Sequence, residues 1–327
     1  MHIWPLPKIE ILPFSEIEET RPVALVTSGP AWEAVKERLS LPVIWQTEVS
    51  EATQAYWRTF TASDTWPVGQ RQEVIYAVGG GLAADAGKYL AALRGLPLVC
   101  LPTALSVDAY FTWASGIRQD GTVIYVESKP PERLIIDLEV VAAAPTSLRA
   151  AGICDVLSIA TGCWDWEFAE SKGKNPPGMT YVPYIAQTAR AILQGALDCA
   201  EAAGRCDPQG LKALLDCLAL EVQLCNQIGH ARPEEGSEHY FAYAVENRTG
   251  SGWPHGDLVG PGILLMARYQ GQDTAPLQKA LEACHIKLDR IPPEVEAQTL
   301  RELPDYVEHH NFPYGISHEI GKLNHEI

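Results

Sequence analysis

The stretch EVIYAVGGGLAADAGKYLAALRG, residues 73–95, constrains the fold more than any other. An apolar run from Val74 to Val78 ends in Gly79, Gly80 and Gly81, and a helix-forming segment follows as far as Gly95. Glycines at a strand end allow positive φ and a close approach of backbone. The free N–H groups at the start of the next helix can hold an anion. The same short pattern also suits a tight strand–helix turn with no ligand. Asp85 and Lys88 lie three apart on one helix face and can pair with each other.

The neighbouring segments extend this unit. PVALVTSG, LPVIWQT, LPLVCLPT and ERLIIDL read as further strands, and PAWEAVKERL has helical spacing with Ala31, Val35 and Leu39 on one stripe. Strands alternating with helices predict a parallel, right-handed α/β sheet. SGIRQDGTVIYVESKPP reads as a hairpin turning at Asp120-Gly121. From Pro145 onward strand signals vanish, and segment after segment carries apolar residues three and four apart. The expected layout is an α/β domain over residues 1–140 and an all-α domain over 141–327. Such a layout places an active site between the two.

Composition narrows the partners. The 327 residues carry a formal net charge of -16 and no long basic run, which argues against nucleic acid. A small phosphorylated ligand stays compatible, because a site can be locally positive. No stretch is long and apolar enough for a transmembrane helix, and MHIWPLPKIEILPF lacks the pattern of a signal peptide. The eight cysteines form no CxxC pair and sit mostly among apolar residues. Buried free thiols of a cytoplasmic protein are the expectation.

Several residue groups can carry chemistry. Thr103 and Ser106 follow the strand LPLVCLP, where open α/β sheets place ligands, and Asp108 comes two residues later. An ordinary turn and a helix cap explain these three equally well. Asp155 lies among apolar or small neighbours in AAGICDVLSIA, and a carboxylate there needs a partner. His239 is near a helix start in EEGSEHYFAYA, and His255 follows a glycine-rich loop in GSGWPHGDLVGPG. Asp, His and His with an open fourth position suit a catalytic Zn²⁺. The spacing matches no short zinc motif, so each histidine can also be a structural residue.

In order along the chain, GGGLAADAGK, PTALSVDA, GICDVLS with Asp165-Trp166, GSEH and HGDLVGPG resemble the dehydroquinate-synthase-like superfamily. Within it the chain is most similar to the sn-glycerol-1-phosphate dehydrogenases and their glycerol dehydrogenase relatives, the iron-containing alcohol dehydrogenase group. The resemblance covers about Val23 to Tyr269. It implies that the α/β domain over residues 1–140 is a Rossmann-like nucleotide-binding domain and the helical domain over 141–327 a metal-binding one, with NAD(H) or NADP(H) as cofactor and a divalent metal, Zn²⁺ ahead of Ni²⁺ or Fe²⁺. It assigns the pyrophosphate to Gly79, Gly80 and Gly81 with Asp85 close by. Thr103 and Ser106 would meet the cofactor near its phosphates and nicotinamide, and Asp108 would contact a substrate hydroxyl. The metal would rest on Asp155, His239 and His255. Iron enzymes of the superfamily carry a fourth ligand, a histidine, one turn after the aspartate; Ile159 stands there, which favours a three-ligand, zinc-type site.

Departures from the pattern bear on the substrate. Ser106-Val107-Asp108-Ala109 replaces the usual Ser-His-Asp-Gly, and Cys154 precedes Asp155 in place of glycine. Tyr110, Phe111 and Trp113 follow where small residues are usual, and would narrow the pocket if they faced it. Gln46 and Thr47 are neutral at the end of the second strand and Glu48 comes late for a ribose-binding acid, which leans toward dual use or NADP. The activity implied is interconversion of dihydroxyacetone phosphate and sn-glycerol-1-phosphate in a homo-oligomer. Alternatives are a glycerol or other polyol dehydrogenase, a carbocycle-forming synthase, and a metal-less binding relative. His309 and His310 are adjacent, so a shared ligand role is not expected. His318, His230 and His285 read as structural or surface residues, and Trp164 and Trp166 as core packing.

Overall fold

The computed structural model describes residues 3–61, 71–250 and 252–323. The chain divides into two compact units, Trp4–Pro145 and one that contains Thr146–Ile327.

The first unit runs β1 (Lys8–Ile11), β2 (Val23–Thr27), α1 (Gly29–Val35), β3 (Val43–Glu48), α2 (Gln54–Thr59), β4 (Val74–Gly79), α3 (Gly81–Arg94) and β5 (Leu98–Pro102). It continues with β6 (Ala114–Gln119), β7 (Thr122–Glu127), β8 (Arg133–Ile136) and α4 (Leu138–Ala143). Six strands form a parallel sheet in the order β1-β8-β5-β4-β2-β3. β2, β4 and β5 are buried along their whole length, which explains their unbroken apolar runs. β6 and β7 pair antiparallel through Asp120 and Gly121, whose φ values of 52° and 78° suit a two-residue turn. The parallel edge strand β1 was not anticipated: Ile9 and Ile11 are 36% and 41% exposed, so no buried face marks it in sequence. α4 packs with this unit. Asp137 caps it by accepting from the N–H groups of Glu139 and Val140, and its other oxygen accepts from Phe14 N–H at 2.9 Å.

Small residues set how closely α3 lies on the sheet. A Cβ at Gly87 would stand 2.7 Å from that of Ala77 in β4. The helix ends at Gly95, in the left-handed conformation with φ 65°. Lys88 is fully buried on this helix. Its Nζ lies 2.9 Å from Asp85 Oδ1, donates to Thr112 Oγ1 at 2.7 Å and also donates to the Ala114 carbonyl. The pairing alternative for Asp85 is therefore the one observed, and the pair ties α3 to the start of β6.

The second unit is helical: α5 (Ile153–Leu157), α6 (Ile159–Ser171), α7 (Pro183–Gly204), α8 (Pro208–Ile228), α9 (Ser237–Thr249), α10 (Gly256–Tyr269), α11 (Ala275–Ala283), α12 (Pro293–His309) and α13 (Ile320–Leu323). α7 and α8 are the longest, and their amphipathic faces bury alanine, leucine and cysteine. The segment from Pro145 to Glu170 is not one helix. It turns through residues 146–152 and breaks at Ser158, whose hydroxyl donates to the Cys154 carbonyl at 2.9 Å. No described helix is long and apolar enough to cross a membrane.

The Lys88 arrangement makes a prediction. Lys88→Ala leaves the Asp85 carboxylate without its cation and should cost about 3 kcal/mol of unfolding free energy. The double variant Asp85→Ala/Lys88→Met, which removes both charges, should lose less than the single variant in urea denaturation.

Candidate metal centre and cofactor cradle

Asp155 lies on the short helix α5 with Ile153, Cys154, Val156 and Leu157, all fully buried. Its Oδ1 is 3.2 Å from His255 Nε2 and 3.9 Å from His239 Nε2. The two imidazole centroids are 5.3 Å apart. One donor atom from each of the three residues lies within 4.8 Å of the other two. Tetrahedral ligands held at roughly 2.0–2.1 Å from an ion are about 3.3 Å from one another. The group therefore fits a divalent ion after a small contraction. Two nitrogens and one oxygen form the donor set of catalytic zinc sites, which keep a fourth position open. The His255 side chain is 30% exposed against 8% for His239, so the open side lies toward His255. Ile159 is buried and apolar and supplies no further donor.

Glycines bring the two histidines together. A Cβ at Gly262 would lie 2.7 Å from the Glu238 carbonyl oxygen, so the backbone of α10 approaches the first turn of α9 directly. His255 immediately precedes α10. A Cβ at Gly256 would be 3.2 Å from that of Ala151, just before α5. Cys154 Sγ points at the Gly256 carbonyl at 3.6 Å. The glycine-rich HGDLVGPG segment thus works as a contact surface rather than as a loop.

Electrostatics match the geometry. Burial alone pushes the His239 pKa down. The hydrogen bond with Glu238 and the charges of Glu238, Glu235 and Asp155 outweigh it and hold the metal-free imidazole up to about 9. Burial raises the Glu235 carboxyl, opposed by His239 and by the Tyr243 hydroxyl that donates to it at 3.0 Å. Asp165 is buried behind α9. Its Oδ2 accepts from the Ser237 N–H and hydroxyl at 2.8 and 2.5 Å, and its Oδ1 from Ile316 N–H and Gln270 Nε2 at 2.8 and 3.1 Å. Sequence reasoning singled out Asp165 only as part of a motif and missed Glu238 and Thr161. The available signal was an acidic residue directly beside His239.

In the first unit, β4 and β5 are adjacent, with Gly79 in register with Pro102. Gly79, Gly80 and Gly81 and the segment from Thr103 to Asp108 therefore gather at one carboxyl edge. The chain leaves β2 toward β3 and β4 toward β5, in opposite directions along the sheet. Ligands bind open α/β sheets at such a switch point. Gly79 has φ 145°, and a Cβ there would stand 2.3 Å from Ser28 Oγ. A Cβ at Gly80 would meet only Ser106 Oγ, at 3.9 Å. A Cβ at Gly81, the first residue of α3, would stand 2.9 Å from Val107 Cγ2, so the helix start is open at Gly80 and closely packed at Gly81; its free N–H groups can receive an anion. Thr103 N–H donates to the Gly79 carbonyl at 3.2 Å. Asp108 opens a turn in which its carbonyl accepts from Phe111 N–H at 2.8 Å.

Several expectations change. Tyr110 and Phe111 are buried, and the Tyr110 hydroxyl donates to the Ala104 carbonyl at 3.1 Å, so neither lines an open pocket. Trp113 stacks on Trp4 with centroids 6.0 Å apart. Glu48 is not late: it is the last residue of β3, opposite Thr27, and its carboxylate lies where a Cβ of Gly29 would be, 2.4 Å away. His230 is half-buried edge-on to Trp166 at 5.3 Å, and burial beside Arg232 pushes its pKa down to about 4. Trp166 is buried, as expected, with its indole N–H on the Met179 carbonyl. His318 packs on Tyr314 within the turn after α12.

Comparisons with known proteins agree with this architecture. The iron-containing alcohol dehydrogenase family model matches residues 15–145. The glycerol-1-phosphate dehydrogenase [NAD(P)+] of Sulfurisphaera tokodaii is 34% identical over 65% of this chain, a match spanning 60% of that enzyme's length. The enzyme of the same name from Saccharolobus islandicus is 29% identical over 79% of this chain and 73% of its own. A probable glycerol dehydrogenase from Sinorhizobium meliloti has the same fold, with a TM-score of 0.67 at 19% identity, over 96% of this chain and 92% of that one. The first unit is thus similar in sequence to iron-containing alcohol dehydrogenases, and the chain shares the fold of a probable glycerol dehydrogenase.

Proposed function

We propose that the chain is a metal-dependent NAD(P)H oxidoreductase that interconverts dihydroxyacetone phosphate and sn-glycerol-1-phosphate. The observation that carries the reading is the convergence of Asp155, His239 and His255 on one point with an open fourth side. The names of these two relatives support this substrate pair. A divalent ion held by the three residues supplies Lewis-acid polarisation of the substrate carbonyl, offsetting the charge that grows on its oxygen during hydride transfer.

The chain's own residues do the rest. Gly79, Gly80 and Gly81 and the first turn of α3 receive the cofactor pyrophosphate. Thr103 and Ser106 reach the cofactor from the next strand end, and Asp108 contacts a substrate hydroxyl. Glu48 is positioned to accept from the adenosine ribose, where its carboxylate repels a 2′-phosphate; this favours NAD over NADP. Eight cysteines, none in a disulfide, support a reducing cytoplasmic setting. The exposed Ile9 and Ile11 of edge strand β1 support a homo-oligomer.

Metal-replete protein should change absorbance at 340 nm with NADH and dihydroxyacetone phosphate. No turnover with dihydroxyacetone phosphate, dihydroxyacetone or glycerol and either cofactor overturns the reading. Net consumption of NADH separates it from a carbocycle-forming synthase, which consumes none overall. Asp155→Ala should abolish metal retention and lower kcat/KM by about 10³-fold, as expected when a Lewis acid worth several kcal/mol is lost. Glu48→Gln should shift the NAD/NADP preference toward NADP by roughly tenfold, about 1.4 kcal/mol. Because the metal-free His239 imidazole is held up to about 9, it must lose its proton to become a ligand. Zn²⁺ uptake at pH 7 should release about one proton from this ring. Apparent affinity should rise about tenfold per pH unit toward pH 9 and then level off. Calorimetry in buffers of different ionisation enthalpy measures both.

A further inference from the structure

Glu238 is next to His239 in sequence, yet its side chain is fully buried behind the site. Its Oε1 accepts from Gly236 N–H at 2.7 Å and lies 2.9 Å from His239 Nδ1. Its Oε2 accepts from the Thr161 hydroxyl at 2.7 Å. A carboxylate that takes a backbone N–H and a hydroxyl acts as an acceptor, so the proton of the third bond comes from His239 Nδ1. In the neutral ring this leaves the lone pair on Nε2, the atom that faces Asp155 Oδ1.

The surroundings hold Glu238 still. Thr161 is buried on α6, and a Cβ at the adjacent Gly162 would stand 3.1 Å from the Glu235 backbone nitrogen, so α6 presses directly on the turn before α9. Gly262 brings α10 against the Glu238 carbonyl from another side. Asp165 holds Ser237, the first residue of α9, through its N–H and hydroxyl.

We propose that Glu238 is a positioning residue for the metal centre: it locks His239 in the Nδ1–H tautomer and fixes the ring plane, so that Nε2 is presented as the ligand. The proposal rests on reading Asp155, His239 and His255 as metal ligands. Partners of this kind, bonded to the far nitrogen of a ligating histidine, typically change metal affinity by about 10- to 100-fold.

The test uses purified full-length protein stripped of metal, with Zn²⁺ competed against a chromogenic chelator. Glu238→Gln keeps an acceptor oxygen for Nδ1–H and should weaken Zn²⁺ binding about tenfold. Glu238→Leu keeps none and should weaken it about 100-fold. In the zinc-loaded protein the His239 Nδ1–H proton should give a protected downfield resonance in the wild type. It should move upfield in the Gln variant and be lost to exchange in the Leu variant. A general packing defect would not produce that order. If the Leu variant does not fold, the Gln variant decides through its affinity and its resonance. Wild-type affinity together with an unmoved resonance in a folded Glu238→Gln protein overturns the proposal for Glu238 alone. Wild-type protein that takes up no Zn²⁺ overturns the ligand reading and the proposal with it.

Discussion

The helical unit is organised around a buried carboxylate that cannot stand alone. Asp155 is 5% exposed on a short helix whose other residues are apolar. An unpaired charge in that setting is costly, and the unit answers with two imidazoles, one on α9 and one just before α10. Those imidazoles are backed by further acids, Glu238 and Glu235, so the pocket gathers negative charge faster than histidine can neutralise it. Without metal the balance is met by protonating His239, whose pKa rises despite burial. A divalent ion bound between the three side chains would take over the compensation and let the imidazole be neutral. The same charges that raise the pKa therefore also favour a divalent cation.

The geometry behind this balance is set by glycine. Asp155, His239 and His255 lie 84 and 16 residues apart in sequence and share no element. What brings them within ligand distance is the missing side chain at Gly262, between α10 and α9, and at Gly256, between α10 and the turn before α5. An alanine at either place would separate ligands before it disturbed any of them directly. Glycine has the corresponding role at the sheet edge of the first unit, where Gly79 makes room for Ser28 and Gly87 lets α3 settle on Ala77. There the close approach places the first turn of a long helix beside two strand ends.

Much of this was legible in the sequence, and the exceptions share a cause. Buried parallel strands such as β4, with its glycine end, leave continuous apolar runs that are easily read. The Asp155, His239 and His255 set was legible only as an ordered group of motifs, because composition gives no distance. β1 was missed because an edge strand with two exposed isoleucines has no buried face to signal it. The break at Ser158 has no signal of its own in the sequence, because a serine that bonds back to Cys154 looks there like any helix residue. Glu48 was judged late because the end of a strand was counted from its apolar residues; pairing with Thr27 extends β3 to it. Whether Tyr110 and Phe111 face a pocket could not be read from their place after Asp108; a tight turn directs both into the core.

The three proposed ligands are not equivalent in their surroundings. Asp155 and His239 are both nearly enclosed, and His239 is braced through Glu238 and Thr161 to α6. His255 is more exposed and stands directly after a segment in which Gly250 and Gly252 have φ of 81° and 123°. Backbone in that region is open to glycine and strained for other residues. The inner pair is therefore held by packing and hydrogen bonds, whereas the outer proposed ligand follows two glycines whose φ values other residues adopt only with strain. An ion arriving from the open side would meet His255 first and be secured by the rigid pair behind it. The same open side is where the fourth ligand of an ion held by the three would lie.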